Sequence, residues 1–100
     1  MAEVVWTEPA LADLEAIADY IAVENPEAAS SFVQRVIDHI DQLQDHPLLG
    51  PIPSDLEDSR YRHIIESPCR IFYRQEGQQV FIVHVMRSER LLIPDSLDRG

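Results

Sequence analysis

The sequence predicts an α+β domain of order β-α-α-β-β-β, an antiparallel sheet with a two-helix hairpin packed on one face. Three observations predict it. Apolar residues recur at helical spacing through the first half of the chain. Runs rich in Ile, Val, Phe and Tyr occupy the second half, and the breakers Asn25-Pro26 and His46-Pro47 separate the segments. Helices and strands are thus segregated along the chain, the mark of a layered α+β fold. With 45% hydrophobic residues in 100, residues 1–100 form one domain, able to bury roughly two-thirds of its unfolded surface.

Val4-Val5-Trp6 has strand character. Thr7-Glu8-Pro9 then supplies a capping hydroxyl and a first-turn proline. From Ala10 to about Glu24, Leu11, Leu14, Ile17, Ala18 and Ile21 form one stripe, with Asp13, Glu15 and Asp19 mostly off it. Asn25 is biased out of the α region by Pro26, and Pro26 opens a second helix that runs to about Asp45. Phe32, Val33, Val36, Ile37, Ile40 and Leu43 form its apolar stripe. So short a connection makes an antiparallel helix hairpin. After the Gly50-Pro51-Ile52-Pro53 loop, Tyr61–Glu66, Cys69–Arg74 and Val80–Met86 read as strands. Gln75-Glu76-Gly77-Gln78 is the hairpin turn between the last two, with a glycine for positive φ. Such a meander buries one face on the helices and can leave the other open. Leu91-Leu92-Ile93-Pro94 is short and apolar, and lies on the body or against a partner.

The chain carries a net charge of −10, unevenly placed. The first 59 residues hold thirteen carboxylates against Arg35, or −12; the last 41 hold seven arginines against five carboxylates, or +2. The acidic total argues against general electrostatic attraction to DNA or RNA, since such binders show a net basic surface, and no direct sequence-specific nucleic-acid binding is expected. A basic or mixed protein partner suits it. No apolar run approaches the ~20 residues of a membrane helix, and the N-terminus lacks the pattern of a signal peptide. A cytoplasmic location away from membranes is the expectation.

Candidate chemistry is sparse. Cys69, the single cysteine, lies beside Pro68 in a strand-like run, as a small buried residue or, less in keeping with that context, a reactive thiol. His39 and His46 are two helical turns apart. His63 and His84 lie on strands and can meet across the sheet. No His-x-x-x-His, His-Glu-x-x-His or cysteine pair points to a metal, and no Gly-x-Ser-x-Gly or phosphate-cradling glycine loop is present. No cofactor, metal or catalytic group is expected.

The arginines are the distinctive feature. Strand alternation places Arg60, Arg62, Ile64 and Glu66 on one face of the first meander strand, and Arg70, Phe72 and Arg74 on one face of the next. Arg87 and Arg90 follow the last strand. These guanidinium groups either converge on a binding patch or form solvated salt bridges with the acidic helices, each worth ~0–1 kcal/mol.

Taken together, Val4-Val5-Trp6-Thr7, Leu14-x-x-Ile17-x-x-Tyr20-Ile21, Asn25-Pro26-x-Ala28-Ala29 and Leu43-x-x-x-Pro47-x-x-Gly50 resemble the first half of the RelE/ParE toxin superfamily. Arg62, Arg70-Ile71-Phe72-Tyr73-Arg74, Val80-x-Ile82-x-x-Val85-Met86-Arg87 and Glu89-Arg90 resemble its second half. The resemblance spans about residues 3–90. It implies the toxin half of a bacterial type II toxin–antitoxin module, with the same β-α-α-β-β-β fold and a cognate antitoxin as partner.

Two activities occur in that superfamily: ribosome-dependent mRNA cleavage in RelE-like members and DNA gyrase inhibition in ParE-like ones. Of the RNA-cleaving positions, Arg70 alone has its counterpart here. The loop Ser54-Asp55-Leu56-Glu57-Asp58 is acidic where lysines are expected, Ser88 stands where an arginine falls, and Leu91–Pro94 offers neither tyrosine nor histidine. The resemblance therefore implies the ParE-like branch, a toxin that binds DNA gyrase and is not an enzyme. It implies Arg62, Arg70, Arg74, Arg87 and Arg90 as target contacts. The antitoxin is expected to lay an amphipathic helix and an extended segment over the groove between hairpin and sheet, with Leu11, Leu14 and Leu92 as apolar anchors. The alternatives are an RNA-cleaving member and a diverged, non-toxic interaction module. Family members are commonly basic and bind acidic antitoxin tails, a pattern from which −10 departs.

Overall fold

A computed structural model describes residues 1–56 and 59–99. It contains β1 (Glu3–Trp6), α1 (Glu8–Glu24), α2 (Pro26–Asp41), β2 (Tyr61–Glu66), β3 (Cys69–Glu76) and β4 (Gln79–Arg87), with 3₁₀ turns at Gln42–Gln44, Ser54–Leu56 and Pro94–Arg99. The expected order is therefore present. Glu57 and Asp58 of the acidic loop lie outside the described residues.

Two polar side chains place the helices. Thr7 Oγ1 accepts the Ala10 N–H at 3.4 Å and donates to the Ile82 carbonyl at 2.7 Å, so one hydroxyl caps α1 and ties it to β4. With Thr7 as cap, α1 begins at Glu8 and includes Pro9 in its first turn. Asn25 closes α1 through its N–H to the Ile21 carbonyl and opens α2 by accepting the Ala28 N–H at 3.1 Å. One residue thus serves both helix ends. The α2 helix stops at Asp41, earlier than its apolar stripe suggests, and tightens into the Gln42–Gln44 turn that buries Leu43.

The sheet order is β1-β4-β3-β2. The pairs β2–β3 and β3–β4 are antiparallel as expected, but β1 runs parallel to β4, with Val4 beside Val80 and Trp6 beside Ile82. The sheet is accordingly mixed and not wholly antiparallel. The chain crosses from β1 through the whole helix layer before the meander begins, and β1 docks on the edge that β4 leaves free. The β3–β4 turn is shorter than predicted, with Gly77 at φ 58°, so both strands extend toward it. A bulge shifts the register, pairing Phe72 with His84 and Tyr73 with Ile82. It breaks the period-two alternation of β4.

The helix-facing core joins Leu14, Phe32, Val36 and Ile40 of the hairpin to Ile64, Ile71, Tyr73, Ile82 and Val85 of the sheet. The opposite face is not open. Tyr61, Phe72, Val83 and Met86 are covered there by Leu92 and Leu97 of the C-terminal segment. Each such burial stabilises the fold by ~1.5–3 kcal/mol. Among the described residues, no helix is long and apolar enough to cross a membrane.

Candidate functional site

The arginines do not form one patch. Arg62 projects from β2 on the helix side of the sheet, where its Nη1 donates to the Gly50 carbonyl at 2.9 Å. Gly50 also donates its N–H to the buried Tyr73 hydroxyl at 2.9 Å. Arg62 thereby holds a loop and stands on the face opposite Arg70 and Arg74. Arg70 and Arg74 lie on the other face, over the rings of Phe72 and Phe81 at 4.7 and 4.9 Å. Arg87 and Arg90 stand at the end of β4.

Most of these cations meet the chain's own acids. Arg70 pairs with Asp55, Arg74 with Glu76, Arg87 with Glu89, Arg60 with Glu76 and Arg35 with Glu66, at 2.7–3.5 Å. The expectation of a convergent guanidinium surface is therefore corrected. Loops and strand ends bring carboxylates to Arg60, Arg70, Arg74 and Arg87, each at its own place on the surface. Arg90 makes no ion pair with a described residue.

Across the second face runs a row of rings and charges. Phe72 sits between His63 and His84, with ring centroids 5.9 and 6.0 Å away. The two histidines thus flank one phenylalanine and do not meet. Arg70 Nε donates to His63 Nδ1 at 3.2 Å, and its two terminal nitrogens donate to the Asp55 carboxylate at 3.1 and 2.9 Å. The hydrogen bond from Arg70 holds the Asp55 carboxyl below its usual range. Burial, aided by the Arg70 charge, lowers His63 and keeps it neutral. At the other end of the row His84 Nδ1 lies 2.7 Å from Asp13 Oδ2. Asp13 is consequently no solvated helix residue, although its place off the apolar stripe reads as one.

A second surface lies where α1 meets the end of β4. Arg87 stacks over Tyr20 at 5.3 Å. A depression of about 320 Å³ is lined by Ala16, Ile17, Tyr20, Arg87, Glu89 and Arg90. A neighbouring one of about 310 Å³ shares Tyr20 and Arg87. Tyr20 and Val23 are 70% and 85% exposed beside these depressions, so apolar area is concentrated on this part of the surface. Tyr20 was legible in the sequence as an aromatic just off the core stripe of α1.

Of the expected apolar anchors, Leu11 is 47% exposed, whereas Leu14 and Leu92 are core residues at 6% and 9%. Leu14 faces the sheet because the α1 stripe is centred on it, and Leu92 closes the second face. Neither is a surface anchor. Cys69 is fully buried, and burial pushes its thiol up to about 11, so it is no nucleophile at neutral pH.

Residues 4–92 match the family model described as the ParE toxin of type II toxin–antitoxin systems, parDE. The chain is 35% identical over 89 residues to a protein named Toxin RelE2 from Caulobacter vibrioides, an alignment covering 87% of this chain and 92% of the relative. Its fold matches a solved chain described as the chromosomal ParDE TA system from P. aeruginosa. That match has a TM-score of 0.75 and 30% identity, and covers 89% of this chain and 98% of the other.

Proposed function

The chain belongs to the ParE toxin family of type II toxin–antitoxin systems, and from that membership we propose that it acts by binding DNA gyrase rather than by cutting RNA. A cognate antitoxin, the partner such a system implies, holds it in check. The observation that carries the binding reading is the filled second face of the sheet. Acid–base cleavage of RNA needs a proton shuttle and a charge stabiliser that reach the substrate together. Here Leu92 and Leu97 cover that face, the Arg70 fork is closed by Asp55, and one nitrogen of each flanking histidine is engaged within the chain.

The exposed surface of Tyr20, Arg87 and Arg90 supports docking instead. A ring under a guanidinium, an apolar floor and a further cation form the kind of anchor that dominates protein interfaces. Leu11 and Val23 add exposed apolar area on the same helix, which suits an amphipathic antitoxin segment. Adding the purified chain to a DNA gyrase supercoiling reaction tests the reading. Inhibition at micromolar toxin, relieved by antitoxin, is expected; full supercoiling at that concentration rejects it.

One finding favours the second reading, ribosome-dependent mRNA cleavage: the Caulobacter relative carries the name Toxin RelE2. That reading predicts codon-linked cuts in translated message, lost in Arg70→Ala.

A further inference from the structure

We propose that the open edge of β2 at Ile65 is a self-association site, where a second copy of this chain pairs its own Ile65 antiparallel across a twofold axis.

β2 is an outer strand of the sheet. Its register sets Glu66 opposite Cys69 across a two-residue turn. Arg62 and Ile64 therefore exchange hydrogen bonds with β3, while the backbone groups of Tyr61, His63 and Ile65 turn outward. Two of those three positions are closed by the chain itself. Ser59 Oγ accepts the Tyr61 N–H at 2.9 Å, and the Pro51 carbonyl accepts the His63 N–H at 3.1 Å. Among the described residues, none bonds the outward N–H and C=O of Ile65. Most of β2 is thus covered, as edge strands usually are, and one residue is left open.

Apolar surface gathers at the same place. Ile65 is 57% exposed, and Leu48, Leu49 and Ile52 of the preceding loop are exposed as well. A cleft of about 280 Å³ reaches from His39 and Leu49 to Ile65. The length and charge of the opening fit a second copy. One residue with both backbone groups outward is all that an antiparallel hydrogen-bonded pair needs from each strand. A twofold axis at Ile65 supplies both bonds from the same residue on either side. That register sets Ile65 against Ile65 on one face of the sheet. On the other it sets Glu66 of each copy beside Ile64 of its mate, next to the His39 that lines the cleft. His39 and Arg35 already meet their own Glu66, at 3.0 and 3.5 Å, so two copies join these groups into one network. Directly opposite positions carry no like charges. The net charge of −10 repels at long range, but salt screens it beyond about 8 Å. A contact this small is transient, and it does not depend on which target the toxin binds.

Sedimentation velocity of the full chain from about 5 to 500 µM tests the contact, a span that brackets a small interface. The weight-average coefficient is expected to rise from monomer toward dimer. Ile65→Lys, which puts a charge on the axis, is expected to weaken association at least roughly tenfold. Leu91→Lys, at an exposed residue outside the loop and the cleft, is expected to leave it unchanged. Should Ile65→Lys fold poorly, the Ile65 amide resonance of the unsubstituted chain gives the same reading, since its shift must follow concentration together with the coefficient. A coefficient that stays monomeric, a dimer that persists in Ile65→Lys, or equal weakening by Leu91→Lys overturns the proposal. So does an Ile65 amide that shifts only when antitoxin is added, which assigns the edge to the antitoxin.

Discussion

Asp13 and His84 are 71 residues apart in sequence, yet the carboxylate of one lies 2.7 Å from the ring nitrogen of the other. The same Asp13 oxygen accepts the backbone N–H of Val85 at 3.2 Å. The relationship follows from the length of β1. That strand has four residues and pairs with β4 only as far as Ile82, so the outer edge of β4 beyond it needs another partner, which α1 supplies.

Asp13→Ala is therefore expected to lower the unfolding free energy by about 2–3 kcal/mol, the range for charged hydrogen bonds whose partners are left part-buried. Glu15→Ala, on the exposed face of the same helix, is expected to stay within about 0.5 kcal/mol. Urea denaturation of both variants checks the contrast. Equal effects would show that Asp13 is an ordinary surface carboxylate.

A Cβ at Gly50 would stand 2.3 Å from the His63 carbonyl oxygen and 3.0 Å from Tyr73 Cε1. Backbone cannot yield as a side-chain tip does, so Gly50→Ala is expected to destabilise by about 1–3 kcal/mol. Tyr73→Phe, which strands the buried Gly50 N–H, is expected to fall in a similar range. Thermal melts of the two variants measure this. A Gly50→Ala melt like that of the unsubstituted chain would contradict the close approach.

Alkaline instability follows from Cys69. Burial raises its thiol from 9.0 to about 11, so between those values the unfolded chain releases a proton that the folded chain keeps. Stability from this group is whole below pH 9 and falls as pH rises toward 11, by about 2–3 kcal/mol in all. Denaturant midpoints measured from pH 8 to 11 should slope less in Cys69→Ala. An identical slope would place the loss elsewhere.

Leu97 and Leu91 give the sharpest contrast in the C-terminal segment, at 1% and 91% exposure. Leu97→Ala is expected to cost about 2–5 kcal/mol, and Leu91→Ala less than about 0.5 kcal/mol. Equal values from urea titrations would mean that the segment does not cover the sheet in solution.

These contrasts also show what could be read before the fold was known. Thr7, Asn25 and the two prolines beside them mark the helix ends because capping and ring geometry act within a few residues. The direction of β1 could not be read, since pairing across the whole helix layer leaves no local trace. Nor could the position of the bulge, which turns Val83 toward the second face. Leu91, Leu92 and Ile93 look alike in sequence, yet only Leu92 is buried, because an extended segment alternates its sides. The arginines were the least legible part. Their partners are set by which carboxylates the loops deliver, and Asp55 reads in sequence only as an acid where a base was expected.

The most direct measurement of the central claim is DNA cleavage by gyrase in the presence of the purified chain. If the chain binds and poisons gyrase, linear plasmid should accumulate after detergent and protease treatment, and prior addition of the antitoxin should suppress it. Plasmid that stays uncut at micromolar toxin, together with discrete cuts in translated message, would contradict the account.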